Sequence, residues 1–106
     1  MADRKRPTFD RDRYPTEETL QAIREWPQDD RRGLAEFVCE AWTYDNYRTL
    51  GERSLELHTG GWSGNESLIS ALQDNHVFWF MCWLKSERGG HYWFELPEPK
   101  EAEDAR

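Results

Sequence analysis

The chain has 106 residues, of which 37% are hydrophobic and 33% charged, and carries a formal net charge of −7. That length allows one hydrophobic core and not two. An acidic balance argues against a domain that grips duplex nucleic acid, because phosphate neutralisation needs a clustered basic face; the longest apolar run, Val77 to Leu84, is too short to cross a bilayer.

The first thirteen residues are net basic and lack apolar periodicity, so a mobile charged arm is expected over 1–13. No apolar run follows "RKRP", so no secretory signal is expected and a cytoplasmic protein is the expectation. A single globular domain is expected over 14–96, followed by an acidic tail over 97–106, where "PEPKEAEDAR" holds two prolines and almost nothing apolar.

Within the domain, Thr16 reads as an N-cap, with Glu17 and Glu18 complementing the helix dipole and Pro27 ending a short helix that turns Leu20, Ile23 and Trp26 inward. Asp29 or Asp30 caps a second helix, whose Leu34, Phe37, Val38, Ala41 and Trp42 follow the i, i+3, i+4, i+7, i+8 pattern. Residues 44–51 read as irregular, with Tyr47 and Leu50 folding back onto the body. "RSLELHT" alternates and predicts a strand with Leu55 and Leu57 buried. A third helix over "ESLISALQDN" buries Leu68, Ile69 and Leu72. "VFWFMCWL" and "HYWFEL" then read as a hairpin around "KSERGG", with Gly89 and Gly90 supplying positive φ.

The expected fold is therefore α+β, in the order α-α-β-α-β-β: a small three-stranded mixed sheet packed with three helices. The second strand is expected to be central and parallel to the first, because only a residue or two separate it from the third helix. Such a strand is apolar on both faces, with Phe78, Phe80, Cys82 and Leu84 on one side and Val77, Trp79, Met81 and Trp83 on the other. Either helices cover both faces, or one stays open as an aromatic partner surface.

"TGGWSGN" sits between a strand and a helix, where phosphates can bind. It matches neither dinucleotide nor P-loop spacing, and no lysine lies near it. Ser63 and Glu66 instead have the spacing of a capping box, so a turn and cap are expected. Trp62 then needs a contact elsewhere, since the N4 position is Ser67.

Cys39 and Cys82 lack metal or redox spacing and read as reduced, buried thiols. His58, His76 and His91 share no metal-ligand spacing, so no metal site and no cofactor are expected. His58 and His91 meet if their strands are neighbours; Cys82 or Ser63 beside them would make a nucleophile and base, but no residue pattern fixes that geometry. The candidate partner- or ligand-binding residues are His58, Thr59, Trp62, Asn65, Trp79, Trp83, His91 and Trp93.

The blocks "TGGWSGNE" and "RGGHY", preceded by "GLAEFVCEAW", resemble a family of short acidic reading frames carried by bacteriophages and prophages. The resemblance implies a mobile-element protein acting inside a bacterium, a setting in which small acidic proteins often inhibit host defence, including CRISPR and restriction systems. It assigns no role to any residue. Two readings follow. The first is a non-enzymatic interaction protein that binds a host protein through a basic surface on that partner, with no membrane or duplex contact and a homodimer allowed. The second is a small-ligand or nucleotide-binding domain, with scope for catalysis, that uses loop 59–65 with His58 and His91.

Overall fold

The computed structural model describes residues 6–97. The first five positions of the expected arm, and every tail position after Pro97, lie outside the described residues.

Helix α1, Glu17–Arg24, begins where the Thr16 hydroxyl accepts the Thr19 amide at 3.3 Å. Arg24, in its last turn, pairs with Glu17 at 2.8 Å. Helix α2, Arg31–Ala41, is capped by Asp30, whose carboxylate accepts from the Gly33 amide at 3.2 Å. Its apolar stripe lies in the core with Trp42. The chain ahead of α1 is tied down as well: the Thr8 amide donates to Thr19 Oγ1 at 2.7 Å, and Phe9 packs against the core.

A single 3-10 turn, Asp45–Tyr47, leads into β1 (Arg48–Leu50) and β2 (Ser54–His58). Then come α3 (Ser63–Asp74), α4 (His76–Cys82), β3 (Trp83–Glu87) and β4 (His91–Glu95). The sheet has four strands in the order β1-β2-β4-β3, and every pairing is antiparallel. Leu55, Leu57 and Phe94 face the helices and share one core with Ile23, Phe37, Leu68, Leu72 and Phe78. Each such side chain contributes about 1.5–3 kcal/mol by leaving water. Alternation sends Glu56, His58, Trp93 and Glu95 to the opposite face.

These findings correct the expected architecture. The sheet is four-stranded and antiparallel, not three-stranded and mixed, and there are four helices among the described residues rather than three. The run from Val77 to Leu84 is not a central strand. Its first six residues are helical, and Trp83 and Leu84 open an edge strand whose five residues are all exposed. The cause is local. Asn75 starts α4 by accepting the Phe78 amide at 3.2 Å, while its Nδ2 donates to the Ile23 carbonyl at 2.8 Å, fixing a helix start against α1. A run that is apolar at every position has no period of its own, so the cap decides. The extra helix redirects the chain before β3, which removes the reason for a parallel pairing. Strand β1 arose in the segment read as irregular, because its Leu50 pairs with Leu55 and packs against the core.

The capping box is also corrected. Trp62, not Ser63, holds the N-cap position of α3 and makes no side-chain cap bond. Ser63 is the first helical residue, and its hydroxyl lies 2.9 Å from that of Tyr14. A hairpin does form, but its first strand is Trp83–Glu87, so Lys85, Ser86 and Glu87 lie in the strand and the loop shrinks to the three residues 88–90, with Gly89 and Gly90 at the expected positive φ, 96° and 84°.

Candidate functional site

One face of the sheet carries helices; among the described residues no helix covers the other, which is the open face and holds a connected set of polar and aromatic side chains. Strands β2 and β4 pair so that His58 lies opposite His91 and Glu56 opposite Trp93. The end of β2 is fixed from behind, where Trp42 Nε1 donates to the His58 carbonyl at 3.1 Å. It is also fixed along the edge of the two glycine loops, where the Thr59 amide donates to the Gly90 carbonyl at 2.9 Å.

The two imidazoles meet Nδ1 to Nδ1 at 2.7 Å, and His58 Nε2 lies 2.8 Å from Glu56 Oε2. With both rings neutral this geometry permits one proton order. The carboxylate can only accept, so His58 carries its proton on Nε2; His58 Nδ1 must then accept from His91 Nδ1–H. His91 Nε2 is then the lone-pair nitrogen of that ring. Trp93 borders both rings, with centroids 5.8 Å from His58 and 6.4 Å from His91, and the Lys85 ammonium sits 4.6 Å from the Trp93 ring centre. Glu87 and Glu95 flank the set, Glu87 opposite His91 across β3 and Glu95 at the end of β4. The site thus offers a carboxylate, an imidazole acceptor and an indole face that already receives a cation.

The sequence candidates separate into four places. His58, His91 and Trp93 form the open-face set. Trp79 and Trp83 stack at 6.3 Å on the helix-bearing side, where Trp79 also meets Phe94 edge-on at 5.4 Å. Asn65 is fully buried and its amide is saturated: Oδ1 accepts the Thr43 amide at 3.0 Å, and Nδ2 donates to the carbonyls of Thr43 at 3.0 Å and Thr59 at 3.2 Å. Thr59 is buried too, and its hydroxyl accepts from the Gly61 amide at 3.3 Å. These two residues hold the glycine loop together. Trp62 is half-buried, its ring 4.7 Å from that of Tyr14. Glu66 is exposed in the first turn of α3.

Neither nucleophile considered from the sequence joins the histidines. Burial pushes the thiols of Cys39 and Cys82 up to about 11, which keeps them protonated at neutral pH. Ser63 is engaged with Tyr14. Among the described residues, no three or more His, Cys, Asp and Glu side chains are placed to hold a metal ion. No described helix is long and apolar enough to cross a membrane.

Comparison with known proteins decides nothing further. No family model, curated protein or solved structure matches the chain.

Sequence reasoning missed Glu56 and Lys85 as members of the set. The signal for Glu56 was present, since residues two apart on a strand share a face and Glu56 precedes His58 by two. Lys85 could not be placed until β3 was known to start at Trp83. The exposed side chains Val77, Phe80, Met81 and Leu84 were also missed as a unit, because a strand reading divides them between two faces.

Proposed function

We propose that this chain is a non-enzymatic interaction protein that binds a basic surface on a partner protein, and that the open sheet face is where it binds. The observation that carries this reading is that Glu56, the His58–His91 pair and the Trp93 face share one side of the sheet. All three are complementary to an arginine side chain: carboxylate and imidazole accept its N–H groups, and the indole stacks on its plane. Lys85 occupies the indole from within the chain, and a partner's guanidinium would take its place. The net charge of −7 supports fast encounter with a basic partner. The hydrogen bonds of Asn65 and the burial of Thr59 take these two side chains out of reach of a nucleotide at the glycine loop.

The resemblance of the "TGGWSGNE" and "RGGHY" blocks to short phage reading frames supports a setting for this activity: inhibition of a host defence system from within the bacterial cytoplasm. A nuclease that presents an arginine-rich nucleic-acid groove has the required chemistry.

The test is amide shift mapping with a hexa-arginine peptide at low salt, against hexa-glutamate. Shifts centred on Glu56, His58, Lys85, His91 and Trp93, and lost on Trp93→Ala, support the proposal. Shifts spread evenly over all acidic residues, or unchanged by Trp93→Ala, overturn it.

A further inference from the structure

After His76, helix α4 is apolar at every position. Phe78 and Cys82 point into the core, but Val77, Phe80 and Met81, at i, i+3 and i+4, form a second stripe on the outside, 38%, 85% and 56% exposed. Just past the helix, Leu84, left unpaired at the register shift between Trp83 and Lys85 in β3, is 56% exposed, and Trp83 is 42% exposed. A helix that is apolar all round is stable when both sides are covered, and nothing in the described chain covers this one.

We infer that a second copy of this chain covers it, in a two-fold dimer that seats Phe80 of each protomer in a cavity of the other. Three observations select this occupant. First, the surface carries its own complement. Beside the stripe lies an open cavity of about 300 Å³, lined by Met81, Cys82, Leu96 and Pro97 together with Arg31, Arg53 and Glu95. An exposed knob next to a hole of aromatic size is what an isologous contact requires, since each protomer then supplies both parts. The two arginines are suited to the face of an incoming phenyl ring. Second, no Asp, Glu, Lys or Arg lies between Asp74 and Lys85. Two acidic chains repel over most of their surface, and the stripe itself adds no Asp, Glu, Lys or Arg to the contact. Third, covering the five exposed side chains in both copies removes on the order of 1,000 Å², the lower bound for a specific interface. The strand edge beside the patch is a poorer docking site, because the shift at Leu84 and the charges of Lys85 and Glu87 blunt it.

The cavity shares Glu95 with the open sheet face, but the dimer does not depend on the function proposed there. Sedimentation equilibrium of the full chain should show a monomer–dimer equilibrium at concentrations up to about 100 µM. Phe80→Glu should weaken association by at least about 100-fold, with the circular dichroism unchanged, since Phe80 makes no core contact. A photoreactive benzoylphenylalanine at position 80 gives a second reading that tolerates no alternative interface: it should cross-link to Met81 or Leu96 of the other copy. A wild-type chain that stays monomeric overturns the inference. So does a dimer indifferent to Phe80→Glu, or one cross-linked elsewhere.

Discussion

Removing the Asn65 amide tests the reading of the glycine loop as a clamp rather than a ligand cradle. The side chain is fully buried and makes three hydrogen bonds that join the end of α2 to the loop after β2. Asn65→Ala loses all three. Each contributes about 0.5–1.5 kcal/mol net, and a carbonyl or amide left buried without a partner costs about 1–3 kcal/mol. Thr43 is half-buried, so water can repair part of the loss there; the Thr59 carbonyl lies deeper. The total comes to about 2–4 kcal/mol. In urea, with a slope near 2 kcal/mol/M for a domain of this size, the midpoint should fall by about 1–2 M. Asn65→Asp adds a second signature. It keeps the acceptor for Thr43 but turns a carboxylate oxygen on two carbonyls, so the ionised form is disfavoured and its folded pKa must rise. Stability of that variant is then fullest below the ordinary aspartate range, about pH 4, and is lost as pH increases. Denaturation of both variants at pH 3.5 and pH 7 measures these effects. A loss below about 1 kcal/mol for Asn65→Ala, or pH-independence of the Asn65→Asp penalty, would refute the clamp and return Asn65 to the candidate ligand residues.

Gly90→Ala should destabilise by more than about 2 kcal/mol, because φ is +84° and an added Cβ runs into the Thr59 side chain; Gly61→Ala, at φ +77° with open space around it, should cost only about 1 kcal/mol in the same urea assay. Trp42→Phe removes the bond from Nε1 to the His58 carbonyl and should cost about 1–3 kcal/mol, read by thermal melting, with shifts of the His58 and His91 ring signals as the end of β2 relaxes. The two buried thiols predict an alkaline limit: well below pH 9.0 both folded and unfolded thiols are protonated, and as pH rises through 9.0 toward about 11 the unfolded chain ionises ahead of the folded one, so stability falls across that window. A Cys39→Ala, Cys82→Ala double variant should show a shallower fall in alkaline denaturation curves.

Much of the fold was legible wherever a pattern had both a period and a boundary. Thr16 and Asp30 cap the first two helices as their side chains suggest, and the alternation in "SLELH" gives β2 its register and its two faces. The meeting of His58 and His91 was conditional on neighbouring strands, and β2 does pair with β4. Illegibility had two physical sources. Uniform apolarity in "VFWFMC" erased the difference between periods of 2 and 3.6, and the deciding contact, Asn75 to Ile23, spans 52 residues. Similarly, the Ser63 hydroxyl was drawn to Tyr14 across 49 residues of sequence, an attraction that capping rules, which are local, do not contain.

Isothermal titration of an arginine peptide into the wild-type chain and into Trp93→Ala asks most directly whether the open sheet face is built for a basic partner. The expected result is saturable binding that falls at least about tenfold without the indole, weakens with salt, and favours arginine over lysine peptides of equal charge. Equal affinity for the two chains, or no preference for arginine, would contradict it.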